Sequence, residues 1–182
     1  SSYERNASTG LLTYLATLKD GVNGVDGLNW AWQVASSADG KHVYATGYSD
    51  NAVSWYERNA STGVLTYGGM VKDGTNGVDG LGGASEVVVS ADGKHVYATG
   101  TSDNAVSWYD RNSTTGALTF GGVLKDNVGG VDGLAGARKV ILSPDGNHAY
   151  VTSETEDAVV LFDRNSTSGA LSYVGLVKDA VG

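Results

Sequence analysis

An eight-residue phrase recurs along the chain at a fixed interval. It reads YERNASTG from Tyr3 and again from Tyr56, YDRNSTTG from Tyr109 and FDRNSTSG from Phe162, so each step is 53 residues with no insertion. Asp39-Gly40, Asp92-Gly93 and Asp145-Gly146 keep the same step, as do the Lys-Asp pairs beginning at Lys19, Lys72, Lys125 and Lys178. Such self-similarity means one supersecondary unit copied in tandem, each copy burying its apolar surface against the next.

Within a copy the pattern reads as four short strands, A to D. The run SEVVVS (residues 85–90) is compact and β-branched. ADGK follows, and an Asp-Gly between two apolar runs signals a hairpin, with a type I′ turn expected. HVYATG (95–100) is the second strand, NAVSWYDRN (104–112) the third and ALTFGGVLK (117–125) the fourth. Strands apolar on both alternations are buried on both faces. Four-stranded antiparallel sheets repeated head to tail meet that need by stacking around an axis, so the expected fold is all-β, a β-propeller. The 27 glycines against one proline suit a chain of tight turns.

The phase of the repeat divides the chain into a half blade (1–29, strands C and D) and three blades (30–82, 83–135 and 136–182), about three and a half in all. Closed propellers use ~4–8 blades, and an unclosed one leaves apolar radial faces open. Two arrangements answer this. The chain is a fragment of a longer repeat array, or it is a homo-oligomer in which two copies supply the strands of seven blades. Position 2 is Ser2 where later copies carry Trp55, Trp108 and Leu161, which points to an altered environment for the first strand C.

The segment SPDGNHAYVTSETEDAVVLFDRNSTSGALSYVG resembles the YVTN-type repeat of bacterial surface proteins, which is similar to the blades of seven-bladed lactonase-like propellers. SPDG, AYVT and SGALS carry the likeness, which extends over the whole chain. The resemblance implies a propeller, often in secreted or cell-surface proteins. It carries over no catalytic residue, because no lactonase set maps residue by residue onto this sequence.

Twenty acidic residues against 12 basic ones leave a formal charge of −8. Phosphate neutralisation dominates nucleic-acid affinity, so an acidic chain without a basic patch is not expected to take that partner. No apolar run approaches the ~20 residues that span a bilayer, so no membrane insertion is expected. The absence of cysteine removes disulfides and thiolate chemistry. No signal peptide is visible, and a chain starting at Ser1 is expected to be a processed product or a piece.

Periodicity also weighs each chemical candidate. His42, His95 and His148 hold one register position on three blades, so they are not expected to converge. The Asn-x-Ser/Thr sites at Asn6, Asn59, Asn112 and Asn165 suit polar turns whose side chains bond local backbone. Asp20/Asp26, Asp73/Asp79 and Asp126/Asp132 lie six apart in glycine-rich connectors such as KDGTNGVDGLGGA. Calcium favours such oxygens, but the spacing is not that of an EF-hand, and the amide moves from Asn23 and Asn76 to Asn127. Turn capping by Asp, with Gly supplying positive φ, is the preferred reading, and neither metal nor cofactor is expected. No Gly-x-Ser-x-Gly elbow is present.

A position that varies while its neighbours repeat is free to serve a site. The start of strand A varies most: NWAWQ (29–33), GGASE (82–86), AGARK (135–139). Ten of the 12 basic residues lie in repeated positions; the two outside are Arg138 and Lys139. Strand A is innermost in a propeller, so Trp30, Trp32, Ser85, Glu86, Arg138 and Lys139 are expected to line the channel mouth, where a small polar ligand or a protein would bind. The function expected first is that of a non-enzymatic binding or interaction module of a secreted or cell-surface repeat protein. The alternative is a lactonase-like hydrolase whose channel-mouth site uses Glu86, Arg138 and blades not present in this chain.

Overall fold

A computed structural model describes residues 1–179, and among them it contains 14 strands and no helix. The chain opens with a two-stranded hairpin, β1 (Ser2–Arg5) and β2 (Leu12–Ala16). Three four-stranded antiparallel sheets follow, each paired in chain order. The first comprises β3 (Ala31–Ser36), β4 (His42–Gly47), β5 (Ala52–Arg58) and β6 (Leu65–Lys72). The second comprises β7 (Ala84–Val89), β8 (His95–Gly100), β9 (Ala105–Arg111) and β10 (Leu118–Lys125). The third comprises β11 (Ala137–Leu142), β12 (His148–Ser153), β13 (Ala158–Arg164) and β14 (Leu171–Lys178). The architecture is about three and a half blades of a β-propeller.

The core lies between sheets. Tyr97, Val106 and Trp108 of the second blade pack with Val140, Val151, Phe162 and Leu171 of the third. The same layer joins the first and second blades through Tyr44, Val53, Val87, Val96 and Tyr109. The connectors feed this core, because Val78, Leu81, Val131 and Leu134 are buried.

Within each sheet, strands C and D divide a fixed volume between two residues. Trp55 and Trp108 lie over Gly68 and Gly121, where an added Cβ would come within 2.6 Å of the indole. In the third blade Leu161 is matched by Val174, and in the opening hairpin Ser2 is matched by Leu15. As the strand C residue shrinks, the strand D residue grows, which keeps the packing volume nearly constant. Ser2 therefore belongs to a reciprocal exchange within its own hairpin.

The A–B hairpin differs from expectation. Gly40 N–H donates to the Ser37 carbonyl (2.9 Å), and only Gly40 has positive φ (68°), whereas type I′ needs it at both central residues. Asp39 explains the difference. Its Oδ1 accepts from the Ser37 hydroxyl (2.5 Å) and the Lys41 amide (3.0 Å), which ties Asp39 to its own turn and leaves the positive φ to Gly40.

A polar network locks each blade to the next. Arg111 at the end of β9 reaches back to the first blade, where its Nε donates to Tyr44 Oη (2.8 Å) and its Nη2 to Asp39 Oδ2 (3.0 Å). Nη2 also lies 2.7 Å from His42 Nδ1, and Nη1 donates to the Gly93 carbonyl (2.8 Å). The Tyr44 hydroxyl in turn donates to the Gly116 carbonyl of the second blade (2.9 Å). Arg164 repeats the pattern with Tyr97, His95 and Asp92 (2.5, 2.9 and 3.6 Å). His42 and His95 thus occupy separate seams, while His148 on the third blade is partly exposed beside Asp163.

Candidate functional site at the channel mouth

β3, β7 and β11 are neighbours and form the inner wall. At their starts, Gln33, Glu86 and Lys139 hold one register position and form a row across three blades. Gln33 Nε2 donates to Glu86 Oε1 (2.7 Å), and Lys139 Nζ donates to Oε2 (3.1 Å). Glu86 is 7% exposed, and its charge is matched by Lys139, whose side chain reaches solvent. This row was legible in principle, because each hydrogen bond spans one 53-residue step. Gln33 escapes a reading based on charge and aromaticity.

Beside the row lies an aromatic shelf. Trp30 (68% exposed) and Trp32 (56%) both pack against Tyr48, with ring centroids 5.9 and 5.7 Å apart. The Arg138 guanidinium lies 5.3 Å from the Trp32 ring, a cation–π distance, while its Nε is 2.6 Å from Glu154 Oε2. Tyr48 and Glu154 hold equivalent positions in their B–C loops, and the sequence reading did not include them. Trp30 takes φ 55°, where the other copies have Gly83 and Gly136 at 64° and 70°. A bulky side chain in the left-handed region is strained, and such outliers concentrate at functional sites.

Of the six residues expected at the mouth, Trp32, Glu86, Arg138 and Lys139 line one space, and Trp30 adjoins it through Tyr48. Ser85 does neither. It is 1% exposed, and its Oγ bonds Thr99 and the Arg138 carbonyl in the inter-blade seam (3.0 and 2.9 Å). It holds the register position between Trp32 and Arg138, whose side chains meet across its blade.

The connector acids lie on the same end of the sheets, and each pair meets a third acid: Asp20/Asp26 with Asp50, Asp73/Asp79 with Asp103, and Asp126/Asp132 with Glu156. Their oxygens already have partners. Asp73 accepts from the Leu81 amide (3.1 Å), Asp103 from the Gly82 amide (2.9 Å), and Lys125 Nζ lies 2.6 Å from Asp79. The shifting amide is conformational as well. Gly74 and Asn76 both have positive φ, and in the next copy Asn127 and Gly129 hold those two positions with the residue types exchanged. Glycine and asparagine are the residues that tolerate this region best. The sequon asparagines likewise serve their turns, as Asn112 Oδ1 accepts from the Thr114 and Thr115 amides (2.9 and 3.0 Å).

The family model described as "Lactonase, 7-bladed beta-propeller" matches residues 1–122 and 38–178. The chain belongs to this lactonase propeller family. No curated protein matches it. Among solved structures, a candidate 6-phosphogluconolactonase from Bacteroides uniformis superposes with a TM-score of 0.76 at 17% identity, over 94% of this chain and 46% of that one. A similar protein from Bacteroides fragilis gives 0.73 at 21% identity, over 97% and 48%. The periplasmic gluconolactonase PpgL of Pseudomonas aeruginosa gives 0.68 at 23% identity, over 81% and 39%. At these identities the likeness is one of fold. The chain spans less than half the length of each of these relatives.

Proposed function

We propose that the channel mouth of this lactonase-family propeller hydrolyses a lactone, with Glu86 as the base. The observation that carries this reading is the nearly buried Glu86 carboxylate held between Gln33 and Lys139, beside a shelf formed by Trp32 and Arg138. Glu86 takes a proton from water as the water oxygen adds to the carbonyl carbon. Lys139 and Arg138 supply positive charge to the oxyanion that forms. The ring C–O bond then breaks and the leaving alkoxide takes up the proton, giving the open hydroxy acid. The Trp32 face offers an apolar platform for the ring. The names of the PpgL and Bacteroides structures make sugar-acid lactones the first substrates to try.

The test is pH-stat titration of acid release over a panel of five- and six-membered lactones. Glu86→Gln should lower turnover about 100-fold or more while keeping the fold. If no lactone is opened by the unaltered protein, the hydrolase reading fails. The second reading, a non-enzymatic binding module, is favoured by one observation: both Glu86 oxygens already have protein partners. It requires ligand or protein binding, lost on Trp32→Ala, without turnover. The likeness to a periplasmic neighbour supports a location outside the cytoplasm, which cell fractionation would test.

A further inference from the structure

The turn between strands C and D recurs in each blade, and the fold uses only some of its polar groups. Asn112 Oδ1 accepts from the Thr114 and Thr115 amides (2.9 and 3.0 Å), and Thr115 Oγ1 accepts from the Ala117 amide (3.3 Å). Asn59 with Thr62, and Asn165 with Ser168, make the same contacts. These bonds occupy the asparagine oxygen and the hydroxyl three positions on. Two groups are left over. Among the described residues, neither Asn112 Nδ2 nor the Thr114 hydroxyl bonds another protein group, and the same holds for Asn59 with Ser61 and Asn165 with Thr167.

The unused pair is the pair that defines an Asn-x-Ser/Thr acceptor, an amide nitrogen and a hydroxyl two residues on. A turn held by Oδ1 needs no hydroxyl at that second position, yet Ser61, Thr114 and Thr167 all supply one. Accessibility comes from the turn itself. The second blade has a blade on each side, and Asn112, Ser113 and Thr114 are exposed there nonetheless. An acid also stands two positions before each asparagine: Glu57, Asp110 and Asp163. The side chains of Asp110 and Asp163 are 66% and 67% exposed, so their charge is open to a partner.

We propose that the C–D turns are N-glycan acceptors, with Asn59, Asn112 and Asn165 as attachment sites and a lipid diphosphate-linked sugar as donor. Nδ2 forms a bond to the anomeric carbon of the sugar, and the bond from that carbon to the diphosphate oxygen breaks. The lipid diphosphate leaves with the electron pair, and the amide proton passes to a base on the transferase. The linkage leaves Oδ1 free to hold the turn. The acid two residues earlier is read by a transferase whose peptide site is basic. Antiparallel pairing puts these turns at the end of the sheets opposite the starts of β3, β7 and β11, so a glycan leaves the channel mouth open. The proposal does not depend on lactone hydrolysis.

The test incubates the purified, folded chain with a bacterial single-subunit oligosaccharyltransferase and a polyprenyl diphosphate-linked oligosaccharide, and reads intact mass and glycopeptides. The chain should gain whole glycans, mapped to Asn59, Asn112 and Asn165. Thr114→Ala should lose the glycan at Asn112 and leave the urea midpoint unchanged, because the fold makes no use of that hydroxyl. Asn112→Ala should lose the glycan and also lower the midpoint, because the turn needs Oδ1. Asp110→Asn should slow transfer to Asn112 severalfold. A synthetic peptide of residues 107–117, given the same enzyme, reports on the sequence without the fold. If the peptide is modified and the folded chain is not, the turn hides its acceptor and the proposal fails. It fails too if neither is modified, or if Asp110→Asn accepts glycan as fast as the parent. A Thr114→Ala midpoint as low as that of Asn112→Ala also overturns it, since the hydroxyl would then belong to the turn.

Discussion

Nδ1 of His42 accepts a hydrogen bond from Nη2 of Arg111, 2.7 Å away and 69 residues on in sequence, across the seam between two blades. A guanidinium has no lone pair to offer, so Nδ1 must be unprotonated and the neutral ring carries its hydrogen on Nε2. His95 and Arg164 repeat the arrangement at 2.9 Å. Each seam is thus built around a histidine that has to stay neutral.

Acid should loosen these seams. Burial, and then the Arg111 charge, lower the His42 pKa below its ordinary 6.5, and burial with Arg164 does the same for His95. As pH falls through 6.5 the unfolded chain takes up these protons before the folded one does. Stability is therefore fully present above 6.5 and is lost as pH drops towards the folded values. Partial burial pulls Asp39 upward, but the Ser37 hydroxyl, the Lys41 amide and Arg111 hold its carboxyl well below the usual carboxylate range, which extends the loss below 3.8. Urea unfolding between pH 7 and 5 should show falling stability, and His42→Gln with His95→Gln should flatten that limb. A stability that is level or rises towards pH 5 in the unaltered protein contradicts this account.

The pairing of Trp108 with Gly121 predicts a non-additive pair of substitutions. Gly121→Val forces a side chain into the space of the indole and should cost about 1–3 kcal/mol. Trp108→Leu leaves that space partly empty. The double variant recreates the Leu161–Val174 combination of the third blade, so its cost should fall short of the sum of the two single costs by more than about 0.5 kcal/mol. Simple additivity in chemical denaturation would show that the exchange across the four copies is drift.

What the sequence made legible follows from the physics of repetition. The 53-residue step places strands to within a residue or so, because each copy meets nearly the same neighbours; HVYATG is β8 without adjustment. Contacts between copies were harder to see. Arg111 repeats as regularly as any turn residue, and nothing local reveals that it acts on Asp39, His42 and Tyr44, some 70 positions earlier. At the start of strand A, variation within the repeat singled out the register in which Glu86 and Lys139 pair. Variation alone did not separate Ser85, which is buried in the seam, from Arg138, whose guanidinium reaches Trp32.

Trp30 offers a test of strain. Its φ of 55° is one that Gly83 and Gly136 adopt without penalty in the other copies. A non-glycine residue held there costs roughly 1–2 kcal/mol. Trp30→Gly should therefore stabilise the chain by about 1 kcal/mol, the rest being offset by glycine's greater unfolded entropy and the lost contact with Tyr48. If Trp30 serves the lactone site, the same variant should also raise KM. A clear loss of stability in urea would mean that the indole packing outweighs the backbone strain.

Asp73 is the carboxylate whose environment opposes its charge. Burial, followed by the negative charges of Asp103 and Asp79, raises its pKa above the ordinary 3.8, although the Leu81 amide partly offsets this. A carboxyl raised in the folded state has the opposite sign to Asp39: it detracts from stability above 3.8, and the penalty disappears as pH falls and the group protonates in both states. Asp73→Asn keeps a carbonyl oxygen for the Leu81 amide and removes the repulsion. It should raise stability at pH 7 by at most about 1 kcal/mol, because half-exposed charges are screened by solvent. The gain should shrink in high salt, as screening weakens the repulsion in the parent. Denaturation of parent and variant at pH 7, with and without salt, measures this. A variant less stable than its parent at low salt would mean that the carboxylate, with its stronger acceptor, holds the connector against β7 more firmly than the repulsion drives it away.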